Sequence, residues 1–246
     1  MLIVVYPSKT LDTKNKPKIQ TFTQPLFLNE AEYIIDKLRS FSVSEIAQLM
    51  KINPKLAELN VERFVKWETP FTPENVKQSV LMFKGEVYLG LDAGSLTEQD
   101  FEFAQDHLRI LSGLYGILRP LDLIQPYRLE MGTNPGIGKS NDLYDYWKQQ
   151  VTDHIQNIFR EQDDNILINL ASKEYFKAID TSKIKAKIIT PVFKEYREGK
   201  YKFVTFYMKK ARGLMTRFII ENRITEAENI KAFDLEGYSF NEQLSD

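Results

Sequence analysis

Ser8, Lys9 and Thr10 follow a short apolar run, Leu2 to Tyr6, and Ser172, Lys173 and Glu174 follow a second, Ile166 to Leu170. If these runs are adjacent parallel strands, both polar triplets open on one crevice at the strands' carboxyl ends. Arg119, Asp122, Gln125, Tyr127, Arg128 and Glu130, from a proline-rich stretch, are further candidates to line it. In such a crevice Lys9 is a base or a phosphate contact, Ser172 a nucleophile or a helix N-cap, and Glu130 an acid or the partner of Arg128. This density of charged and hydroxyl groups suits an enzyme acting on a nucleobase or nucleotide, with a small molecule as its ligand.

A second group has the chemistry of phosphate contact. The stretch from Ile46 to Ala57 resembles a helix-hairpin-helix element, in which two helices flank a tight turn and the second helix's amino end meets a DNA phosphate. Ile46 and Leu49 fit the first helix, Ile52 the central hydrophobe and Ala57 the small residue at the helix contact. Lys51 and Asn53 stand where glycines are usual: Asn53 is a good N-cap before Pro54, and Lys51 adds a cation. The motif nominates Lys51, Asn53 and Lys55, although an ordinary helical hairpin has the same pattern.

The third group lies near the carboxyl end. Lys209, Gly213 and Arg217, at i, i+4 and i+8, share one helix face, roughly opposite Leu214, Met215, Phe218 and Ile219. That face offers two cations around a glycine, where a phosphate can approach closely or where the surface is merely solvated. From Lys173 to Arg217 the chain holds 13 Lys and Arg against 4 Asp and Glu, leaving 20 against 30 elsewhere, so the net charge of −1 conceals a basic segment. Phosphate contacts need that kind of local surplus.

Other chemistries are disfavoured. Zero cysteines remove disulfides and thiolate metal sites, and His107 and His154 lie far apart, so neither a metal nor another cofactor is expected. Gly136-Ile137-Gly138-Lys139-Ser140 has the tail of a phosphate-binding P-loop, but Thr133 replaces the required glycine and no apolar strand leads into it. With neither a long apolar run nor an export signal, a cytoplasmic protein without membrane contact is expected.

The elements that must position these groups follow from periodicity. Helices are predicted over Asn29 to Arg39, Val43 to Met50 and Pro54 to Val65, with Asn29, Ser42 and Asn53 as N-caps. Val80 to Phe83 and Glu86 to Leu89 are predicted as strands around Lys84-Gly85, Thr97 to His107 as a helix, and Arg109 to Ser112 as a buried strand. Gly113 through Ser140 carries three prolines and five glycines, so its regular structure must be brief. Between Asp142 and Phe159, Leu143, Trp147, Val151, Ile155 and Phe159 form the buried stripe of a long helix. Ser172 caps a short helix from Lys173 to Ala178, Lys187 to Phe193 and Tyr201 to Tyr207 form a hairpin around Glu198-Gly199, and Lys209 to Glu221 is the last helix. The mixed order implies an α/β (mixed α+β) fold: one compact domain over 1–246, a mixed sheet flanked by helices, and a helix-hairpin-helix-like element near residues 43–65.

Read together, Pro7 to Asp12, Leu111 to Asp122, Pro126 to Gly132, Asn169 to Ser172, Glu174 to Phe176 and Lys209 to Met215 resemble the motifs of the YaaA peroxide-stress family, in order and over nearly the whole chain. Ser8 stands where alanine is common, and family members usually extend a little past Asp246, which leaves open whether a terminal strand is missing here. The resemblance implies a cytoplasmic protein of the hydrogen peroxide response that limits oxidative DNA damage. It also implies a family-specific α/β fold, and a positively charged cleft and helix-hairpin-helix element that bind duplex and branched DNA with little sequence preference. On that basis DNA is the expected partner, and Lys51, Asn53, Lys55, Lys173, Lys209, Lys210, Arg212 and Arg217 are its candidate contacts.

Overall fold

The computed structural model describes residues 1–162 and 165–245. Its centre is a five-stranded mixed sheet in the order Gly116–Leu118, Leu108–Ser112, Leu2–Val5, Ile166–Asn169, Lys187–Ile189. Leu2–Val5 runs parallel to both neighbours, with Val4 opposite Arg109 on one side and Asn169 on the other. Lys187–Ile189 continues the parallel part, whereas Gly116–Leu118 returns antiparallel along Leu108–Ser112. Every residue of Leu2–Val5 and Leu108–Ser112 is buried. A strand covered on both faces has no polar side to show, which is why Leu2–Val5 is apolar without alternation.

Helices cover the sheet. Glu98–His107 lies on the two central strands, and Leu143–Gln162 packs against Gly116–Leu118. The predicted stripe of Leu143, Trp147, Val151, Ile155 and Phe159 is buried, and Trp147 Nε1 donates to the Gly113 carbonyl at 2.9 Å. Leu28–Arg39, Val43–Met50 and Pro54–Lys66 precede Trp67 as expected. Ser42 heads a capping box with Glu45, and Asn53 Oδ1 accepts from Leu56 N at 2.9 Å. Asn29 is not an N-cap. The first helix starts after Phe27, which has no side-chain cap but packs on the Trp147 ring at 5.6 Å, so apolar contact rather than capping sets that boundary.

Two strand expectations are corrected. Residues 79–91 form two short helices, Ser79–Met82 and Glu86–Leu91, joined by the two strand residues Phe83–Lys84, which pair with Thr10–Leu11. Short apolar runs fit either period, and here Gly90 decides the matter. A Cβ on Gly90 would lie 2.2 Å from the Lys210 carbonyl, and one on Gly213 would lie 1.9 Å from the Val87 carbonyl. Two glycines thus let Glu86–Leu91 cross the last helix, Thr205–Glu221, almost backbone to backbone. The hairpin turn stands at Glu198-Gly199, both at positive φ (52° and 78°), but its strands are Glu195–Arg197 and Lys200–Lys202. Lys187–Ile189 is taken instead by the main sheet, and the last helix begins at Thr205, a turn before Lys209.

Candidate functional site

The adjacency that the crevice requires is present: Leu2–Val5 and Ile166–Asn169 are parallel neighbours, and Leu170 N donates to Val4 O at 2.9 Å. Beyond the first strand, Ser8 Oγ bonds the Lys84 carbonyl and accepts from Thr10 N, which holds Lys9 outward. Residues 127–130 cross the end of Leu108–Ser112 because Gly113 has no side chain: a Cβ there would lie 2.4 Å from Leu129 O. This crossing brings Glu130 to Lys9 Nζ at 2.7 Å and to Arg128 at 3.2 Å. Lys9 is largely exposed and Arg128 largely buried, so the cluster joins solvent to the interior.

The floor is aromatic. Tyr127 Oη and Ser112 Oγ share a buried hydrogen bond of 2.6 Å, Tyr88 Oη donates to Tyr6 O at 3.0 Å, and Tyr6 stacks on Tyr175 with ring centroids 6.1 Å apart. Burial raises the pKa of Tyr88, Tyr127 and Tyr175, with neighbouring tyrosines adding to it, so all three stay protonated donors at neutral pH. Arg212, from the last helix, lies over the Tyr6 ring at 5.9 Å. Arg63, on the helix Pro54–Lys66, is lowered in pKa by burial and by the charge of Arg128.

Lys9, Tyr127, Arg128 and Glu130 therefore come together, joined by Arg212. Ser172 stands at the neighbouring strand's end, where its Oγ accepts from Tyr175 N at 3.3 Å as the N-cap of Lys173–Phe176. Arg119 does not join them. It follows the antiparallel strand Gly116–Leu118, which carries it toward the amino ends of the parallel strands, where it binds Asp122 at 3.0 Å and the Gln24 carbonyl. Asp122 is buried beside it, and Gln125 bonds the backbone of Glu68. Sequence reasoning missed Tyr6, Tyr175, Ser112 and Arg63. The signal for Arg63 was Asn60, a fully buried polar residue on that helix's apolar face, whose Oδ1 accepts from Arg63 at 3.4 Å.

The DNA-contact candidates divide. Lys51 and Lys55 are exposed at the helical hairpin, Lys51 in the left-handed conformation that ends the first helix (φ 52°) and Asn53 committed to its cap. Lys173 and Lys209 are exposed too. Lys210 is paired with Glu236 at 2.5 Å. Gly213 offers no open face, because the helix Glu86–Leu91 occupies it, and Arg217 is spent on the same crossing. Its guanidinium donates to the Leu91 and Asp92 carbonyls at 3.1 and 3.0 Å and pairs with Glu221 at 2.6 Å.

A model of the family described as peroxide stress protein YaaA matches residues 1–244. The chain belongs to the YaaA peroxide stress protein family. A relative from Colwellia psychrerythraea, described as a UPF0246 protein, is 51% identical over 245 residues, spanning all of this chain and 95% of its own length. Lys9, Arg128, Glu130 and Gly213 fall inside the segments by which the sequence resembles the YaaA family. Among the described residues no helix is long and apolar enough to cross a membrane.

Proposed function

We propose that the protein binds duplex or branched DNA in the cytoplasm through basic surfaces, with little sequence preference, and limits oxidative DNA damage during peroxide stress. The observation that carries this is that Lys51, Lys55, Lys173, Lys209 and Arg212 form no ion pair among the described residues. None of these charges is neutralised by a carboxylate, so each can meet a phosphate and release its counterion, the main driving force of non-specific binding. The hairpin at Lys51 acts as a helix-hairpin-helix element, presenting Lys51 in the turn and Lys55 at the amino end of the second helix, where the dipole also favours an anion. Five phosphate contacts give a log–log salt slope of about −4.5. Lys51→Ala with Lys55→Ala weakens unrelated DNA sequences alike and makes the slope about 2 shallower, read by fluorescence anisotropy. Salt-insensitive binding, or none, refutes the proposal.

A second reading rests on Arg128, whose Nε is buried without a partner among the described residues while Lys9 and Arg128 converge on Glu130. An enzyme acting on a nucleobase or nucleotide would use these cations to hold an anionic substrate against the tyrosine floor. Turnover of a damaged nucleotide that is lost in Lys9→Ala while DNA affinity is kept supports this reading. Unchanged turnover in that variant removes it.

A further inference from the structure

We infer that the hairpin Glu195–Arg197/Lys200–Lys202 and the residues leading into the last helix form a stacking platform for the unpaired nucleotides of single-stranded DNA. This rests on the DNA-binding proposal above and names the form of DNA that one part of the surface takes. Tyr196 (67% exposed), Tyr201, Phe203 (64%) and Phe206 (54%) all lie open to solvent within eleven residues of chain. Exposed large apolar side chains in such a cluster mark a contact surface.

The register sorts them. Tyr196 lies opposite Tyr201, with ring centroids 5.1 Å apart, so the two share one face. Alternation along the strands adds Lys194 and Phe203 to that face, and Lys194 Nζ sits 5.6 Å from the Phe203 ring. The opposite face pairs Arg197 directly with Lys200. Like charges across a ribbon destabilise it, so the pairing is a cost that an anionic partner recovers. The local acids offset these cations only in part: Glu195 takes the Tyr238 hydroxyl and Glu198 pairs with Lys202, leaving four cations against two acids from Lys194 to Lys202. Lys194, Arg197 and Lys200 form no ion pair among the described residues.

Flat rings interleaved with unpaired cations match a polyanion whose bases are exposed. The bases stack on the aromatic face and the phosphates meet the flanking cations, an arrangement tolerant of sequence because every base has a π-face. A blunt duplex hides its base faces and gains only the charge. The chain then runs straight into the helix bearing Lys209 and Arg212, which makes the platform continuous with the proposed duplex surface.

The test compares, by anisotropy, a blunt duplex, the same duplex with an unpaired bubble, and an oligodeoxythymidine of about 20 nucleotides. The expected result is that Tyr196→Ser with Phe203→Ser lowers affinity for the bubble and the oligothymidine at least about tenfold, leaving the blunt duplex and the melting temperature unchanged. Both native tryptophans, Trp67 and Trp147, are buried, so Phe203→Trp supplies an exposed fluorophore that oligothymidine should quench. Undiminished oligothymidine binding by the double variant overturns the platform, and duplex binding then still stands. Loss of binding to phosphatidylserine–phosphatidylcholine vesicles, or of self-association in sedimentation, with oligothymidine binding kept, also overturns it. Failure of every DNA to bind the native chain overturns both proposals.

Discussion

Gly213→Ala separates packing from function in the last helix. The new Cβ would stand 1.9 Å from Val87 O and 2.7 Å from Leu91 N, against the 3.4 Å at which ordinary contact begins. Both obstacles are backbone, so no side chain can turn aside and the helices must part by up to about 1.5 Å, the shortfall to contact. Overpacking of this kind costs about 3 kcal/mol or more, since a methyl meets rigid atoms. Alanine returns about 1 kcal/mol through helix propensity, which leaves a net loss of about 2 kcal/mol at least. For a chain of this size that lowers the melting temperature by roughly 4–8 °C, measured by circular dichroism. Arg217, which holds Leu91 and Asp92 across the same crossing, should lose its order with it. A variant that melts normally but no longer binds DNA would refute the packing account and restore Gly213 as a point of phosphate approach.

Gly113→Ala should cost at least about 2 kcal/mol, because its Cβ meets Leu129 O at 2.4 Å, and should displace Glu130 from Lys9; thermal melting together with an NMR or crystal structure checks both. Lys51→Gly should stabilise the protein by about 0.5–1 kcal/mol, since glycine accepts the left-handed turn (φ 52°), while weakening DNA binding, so the two readouts move in opposite directions. Burial, reinforced by Arg109 and Arg119, pushes His154 down to about 4. The folded protein keeps this ring neutral while the unfolded chain gains a proton near pH 6.5, so its contribution is constant above that pH and is lost as pH falls toward 4. Urea denaturation should show the native chain losing about 1–2 kcal/mol more than His154→Phe between neutral pH and the low end of that window, a figure reduced for the ring's partial exposure. Equal losses would place His154 in solvent.

The sequence by itself determined the buried strands, the long helix under Trp147, the capped hairpin of Ser42 and Asn53, and the turn at Glu198-Gly199. Each depends on residues within a few positions of one another: uniform apolar runs, a four-residue stripe, a cap followed by proline, a glycine at positive φ. It also supplied both polar triplets, conditional on which strands were neighbours. Tertiary structure alone decided that condition, since parallel pairing joins segments more than 160 residues apart and leaves no local mark. The same global choice turned Val80 to Leu89 into helices around Gly90 and claimed Lys187–Ile189 for the central sheet. It also sent Arg119 to the far end of that sheet, because one antiparallel strand reverses the direction in which the chain carries its side chains. Gly213 shows the limit most plainly: a helix-interior glycine says that something comes close, and only the fold says that it is another helix.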